Sequence, residues 1–91
     1  MVTVEEMKQY LRIDFSEDDD LIASLISSAK DLCASVARLP KEEFLASEDE
    51  TTRMAVLYTV AYLYEHREEA DHKNLTETVK YLLFPIRKEV F

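Results

Sequence analysis

Apolar residues recur at helical spacing in four stretches of the chain, each placed after a small polar residue that has an acid three positions later. The pairs are Thr3 with Glu6, Ser16 with Asp19, Ser47 with Glu50, and Asn74 with Glu77. In such pairs the first side chain accepts from a free N–H of the opening turn and the acid reaches back, so each marks a helix start. Val2 and Met7 bracket the first start as a hydrophobic staple.

The faces that follow differ in breadth. After Thr3, Met7, Tyr10 and Leu11 share one side. After Ser16, Leu21, Ile22, Leu25, Ile26, Ala29, Leu32, Cys33 and Val36 repeat at steps of three and four, which predicts a long helix ending near Arg38. After Ser47, Met54, Leu57, Tyr58, Ala61 and Tyr64 form one stripe, and Val56, Val60 and Leu63 form another. A helix apolar on two sides has to be covered on two sides. After Asn74, Leu75, Val79, Leu82 and Leu83 make a last short stripe, and Pro85 stops it. The stretch LPKEEFLASEDE between the two long helices reads as a loop with one helical turn opened by Pro40. These elements predict an all-α, single-domain bundle over residues 1–91, with about four helices in the order short, long, long, short.

Composition narrows the function. At 91 residues the chain buries only about 60 to 65% of its unfolded surface, so its core is thin. The 47% hydrophobic content is ample for that core and leaves apolar surface for a partner. Glycine is absent. Phosphate-binding loops, dinucleotide turns and nucleophile elbows need backbone that glycine supplies cheaply, so those enzyme classes lose their usual hardware.

Charge is uneven. The net −8 comes from residues 1–50, with 13 acids and 5 bases, since residues 51–91 carry 6 of each. Such a surface repels nucleic acid phosphates. The lone Cys33 forms no internal disulfide, and MVTVEEMK lacks the basic and apolar regions of a secretion signal, so synthesis in the cytoplasm is expected. The longest apolar run, Met54 to Tyr64, is about half of what a membrane span needs, so no membrane partner is expected.

Chemical candidates meet simpler readings. Five of the seven residues from Asp14 to Asp20 are carboxylates, yet no register of a calcium loop fits: counting from Asp14 puts Asp19 where glycine belongs and Leu25 where glutamate belongs. Both acidic runs sit in first helical turns, where free N–H groups and the macrodipole favour them. His66 and His72 stand six apart, whereas helical zinc pairs stand four apart. Cys33 falls in a core stripe with only Lys30 at helical spacing as a base. No catalytic, metal or cofactor site is expected.

Three stretches carry a family resemblance: TVEEMKQYLRID followed by EDDDLIASLISSAK, the helix ending YLYEHREE, and the closing LLFPIR. Together they resemble the gp6-like head-tail connector proteins of tailed bacteriophages and integrated prophages. One departure is Ile86, where family members often have an aromatic after the closing proline. The resemblance implies a helical, non-enzymatic virion protein at the capsid-tail junction, assembled in the host cytoplasm. It further implies a homo-oligomeric ring, dodecameric in the virion, under the portal protein. Such a ring extends the DNA channel, passes packaged DNA without binding it specifically, and meets a downstream neck or tail protein. Expected subunit or portal contacts are Tyr58, Tyr62, Phe84, Ile86 and Phe91. The rival reading is an acidic helical adaptor or DNA mimic that occupies the basic site of a DNA-binding protein, with the acidic first half as its support.

Overall fold

Described in a computed structural model over residues 2–47, 49–66 and 72–85, the chain forms helices joined by short connections, with no strand among the described residues. They are α1 (Val4–Leu11), α2 (Asp19–Ala37), α3 (Lys41–Ala46), α4 (Glu50–Glu65) and α5 (His72–Leu83). The additional helix is α3, the helical turn expected after Pro40, drawn out to six residues.

α1 starts where its capping pair puts it. Thr3 is extended, with φ −98° and ψ 168°, and its Oγ1 accepts from the Glu6 N–H at 3.2 Å. Val2 and Met7 are both buried in the core, which fixes the entry of the chain.

The other three expected caps need correction. Ser16 stands two residues before the N-cap of α2, which is Asp18; the Ser16 carbonyl accepts from the Asp19 N–H at 3.2 Å and closes a turn instead. Ser47 is the C-cap of α3, and α4 is capped by Asp49, whose Oδ1 accepts from the Thr51 N–H at 2.8 Å. Ser47 supports that cap from behind, accepting from the Asp49 N–H at 3.3 Å. A carboxylate at the N-cap is favoured by the macrodipole as well as by the hydrogen bond, which explains why the acid displaces the serine. Asn74 lies inside α5, two residues past its start, and its carbonyl accepts from Thr78 Oγ1 at 3.1 Å.

α1 and α2 stop in the same way, without glycine. In each, an arginine adopts the left-handed conformation, Arg12 at φ 60° and ψ 45° and Arg38 at φ 60° and ψ 39°. The next residue then closes a six-to-one bond, Ile13 N–H to Lys8 at 2.9 Å and Leu39 N–H to Ala34 at 3.1 Å. These are Schellman stops with a Cβ where glycine is usual. Left-handed backbone costs a residue with a Cβ about 1 to 2 kcal/mol, offset in part by an arginine charge beside free carbonyls. Arg38→Gly is therefore expected to stabilise the domain by about 0.5 to 1 kcal/mol, read as a higher thermal midpoint.

The core lies between α2 and α4. α2 contributes Ile22, Ile26, Ala29, Cys33 and Val36, the stripe that its periodicity predicts, and α4 contributes Ala55, Val56, Leu57 and Val60. α4 packs on α2, α5 and α1, which bury Val56, Leu57 and Val60 from its two apolar sides and leave Met54 exposed. α5 closes the core with Leu75, Val79 and Leu83, and α3 docks on α2 through the fully buried Phe44.

Candidate functional site

Several charged residues at the helix starts hold the bundle together. Lys8 Nζ lies 2.9 Å from Asp19 Oδ1, tying α1 to the first turn of α2. The Tyr64 hydroxyl donates to Asp18 Oδ2 at 2.5 Å, tying the end of α4 to the same joint. Arg53 donates to Glu6 across α1 and α4, and to Glu50 at 3.2 Å within α4. That bond from Arg53 holds the Glu6 carboxyl below its ordinary value. The contribution is present above the ordinary carboxylate range and is lost as pH falls through the lowered value. Asp14, Glu17 and Asp20 are exposed.

Nothing resembling a metal or nucleophilic centre comes together among the described residues. They hold no group of three or more His, Cys, Asp or Glu side chains placed to bind a metal. His66 is occupied at the end of α4: its ring stacks on Tyr62 with centroids 4.3 Å apart, and its Nδ1 lies 3.0 Å from the Tyr62 carbonyl.

Cys33 is enclosed. Thr59 Oγ1 donates to the Ala55 carbonyl at 2.8 Å, which leaves its lone pair to accept from the Cys33 thiol at 3.5 Å. Burial pushes the thiol up to about 11 from 9.0, against the smaller opposing effect of the Thr59 bond. The folded state thus holds this proton more tightly than the unfolded state. The resulting stability is complete below about 9 and is lost as pH rises toward 11. Between those values the melting midpoint of the wild type is expected to fall more steeply than that of Cys33→Ala. The native thiol is expected to ignore an aromatic disulfide reagent until denaturant is added.

What faces outward is aromatic. Along α5, Tyr81 is 79% exposed and Phe84, just past its end, is 66% exposed. With Glu77 and Lys80 they line an open groove of about 230 Å³. At the joint between α1 and α2, Phe15 is 48% exposed. Of the residues expected at contacts, Phe84 is therefore on this surface. Tyr58 and Tyr62 are half-buried against the core, with ring centroids 6.5 Å apart. Ile86 and Phe91 lie outside the described residues.

Tyr81 and Phe15 escaped sequence reasoning. The signal for Tyr81 was available: on a helix whose buried positions are Leu75, Val79 and Leu83, position 81 points away from them. A tyrosine there has no core to serve.

Fold and surface together define a small helical building block, its core closed within one chain and aromatic side chains left outward on two elements. Residues 1–90 match the family model described as phage gp6-like head-tail connector protein, and the chain belongs to that family of structural phage connectors. No curated protein and no solved structure matches it. Among the described residues no helix is long and apolar enough to cross a membrane.

Proposed function

We propose that this protein is the unit of a dodecameric ring that sits beneath the portal at the capsid vertex, extends the DNA channel and offers its far side to a neck or tail protein. The observation that carries this reading is the family match over residues 1–90, nearly the whole chain. Two physical features support it. The exposed aromatics Tyr81 and Phe84 suit subunit contact, since aromatic residues are enriched in interface cores. The net charge of −8 suits a channel wall past which DNA slides without sticking. The role is structural, and it places the protein in the virion after assembly in the host cytoplasm.

Co-expression with the portal protein encoded alongside, followed by negative-stain microscopy, tests the proposal. A ring of added density on the portal is the expected result. Absence of any complex with the portal, together with tight, salt-sensitive binding to a basic DNA-binding protein, would replace it with the adaptor reading. Serines at both Ile86 and Phe91 are expected to leave helicity intact and weaken the ring. Unaltered assembly would remove those two from the contact.

A further inference from the structure

We infer that the outer face of α5 is a docking site for a second copy of this chain, which it meets through the joint between α1 and α2. The inference rests on the ring reading and says which surfaces of two neighbouring copies meet.

The receiving face is built from positions one helical turn apart. Lys73, Glu77, Lys80, Tyr81 and Phe84 follow at steps of four, three, one and three, so they line one side of α5, opposite the buried Leu75, Val79 and Leu83. Tyr81 and Phe84 are the most exposed large hydrophobics among the described residues, and the groove beside them is open. Lys73 and Lys80 have no ion-pair partner among the described residues, and Glu77 is the single acid of the face.

Charge complementarity identifies the occupant. The α5 face holds two bases, Lys73 and Lys80, and one acid, Glu77, a net +1, while residues 1–20 hold seven acids and two bases, a net −5. Within residues 1–20, the joint presents Phe15 about half exposed, with Asp14, Glu17 and Asp20 around it in sequence and all three exposed. One patch is aromatic and basic, the other aromatic and acidic. Opposite potentials steer such patches together and fix their register, while the aromatic groups supply desolvated area. Because the two patches belong to different elements, the contact is heterologous: each copy gives its joint to one neighbour and its α5 face to the other, and this closes into rings when the rotation allows.

Charge reversal tests the contact on portal-templated rings formed by co-expression. Lys73→Glu with Lys80→Glu is expected to reduce ring yield to a small fraction of wild type, and so is Asp14→Lys with Glu17→Lys and Asp20→Lys. Combining all five changes in one chain is expected to restore rings, because the reversed patches again match across copies. Lys73, Asp14, Glu17 and Asp20 are exposed and Lys80 is half-buried on the outer face, so circular dichroism is expected to show unchanged helicity in each variant. Wild-type rings accompanied by reversals that assemble equally well, or by a combination that fails to rescue, would overturn this contact and leave the ring reading standing. So would loss of rings from the α5 reversal alone, which would assign that face to the portal. Failure of the wild type itself to form a ring would overturn the proposed function and this contact with it.

Discussion

An aspartate in place of Val60 is expected to leave the domain largely unfolded at neutral pH. Val60 is fully buried near the middle of α4, the helix on which α1, α2 and α5 all pack. A carboxylate there would lose its hydration among the apolar side chains of the core, at a cost of several kcal/mol. A domain of 91 residues has roughly 5 to 14 kcal/mol of stability in total, so one such change consumes most of it. The sign of the pH effect follows from burial. The introduced carboxyl would have a raised value in the folded state, so its penalty shrinks as pH falls toward the ordinary aspartate value of about 4. Far-ultraviolet circular dichroism should show weak helicity at pH 7 that partly recovers on acidification. Val60→Ala, which leaves a cavity and no charge, should stay folded. A cooperative wild-type melt from the aspartate variant would mean that α4 is not enclosed on this side.

Phe44→Ala is expected to cost about 3 to 5 kcal/mol. Phe44 is the one buried residue of α3 and is fully enclosed against the core, while its helix is only six residues long. A helix of that length has no stability of its own, so beside the half-buried Leu45 its position depends on this ring and on the exposed pair between Lys41 and Asp31 at 2.6 Å. Exposed pairs contribute up to about 1 kcal/mol, which leaves the ring as the larger of the two. Urea denaturation followed by circular dichroism measures the loss. Phe44→Leu should recover more than half of it by refilling the space. A cost below about 1 kcal/mol for the alanine would show that α3 is held by something other than its phenylalanine.

The packing face of the long helix α2 was the most legible element, because burial on one side imposes a helical periodicity. Of its predicted stripe, Ile22, Ile26, Ala29, Cys33 and Val36 are buried and Leu21, Leu25 and Leu32 half-buried, while the buried Ala34 and Ala37 lay outside it. Helix starts were less legible. A serine or asparagine ahead of an acid reads as a cap wherever it occurs, but Ser16 instead closes a preceding turn through its carbonyl, and at Ser47 an aspartate two residues later supplies the cap. α4 was read correctly as apolar on two sides. The sequence has no way to state that α1 and α5 both fold back on it, so what covers those sides was not legible. Tyr81 was missed for the opposite reason: a search for buried stripes skips a residue whose significance lies in having no core neighbour. That Arg12 and Arg38 end helices as glycine usually does was also hidden, because the signal is a backbone angle and not a residue type.

The enclosure of Cys33 has a practical consequence. The chain has one thiol, and it sits where reagents in water do not reach it, behind Thr59 and the α2–α4 contact. A cysteine introduced at any exposed position therefore becomes the only site that takes a dye or a spin label, with the native residue left in place. Pairs of labelled copies can then report distances between neighbours in an assembly, so the spacing of the units around a ring becomes measurable in solution from the otherwise unaltered protein.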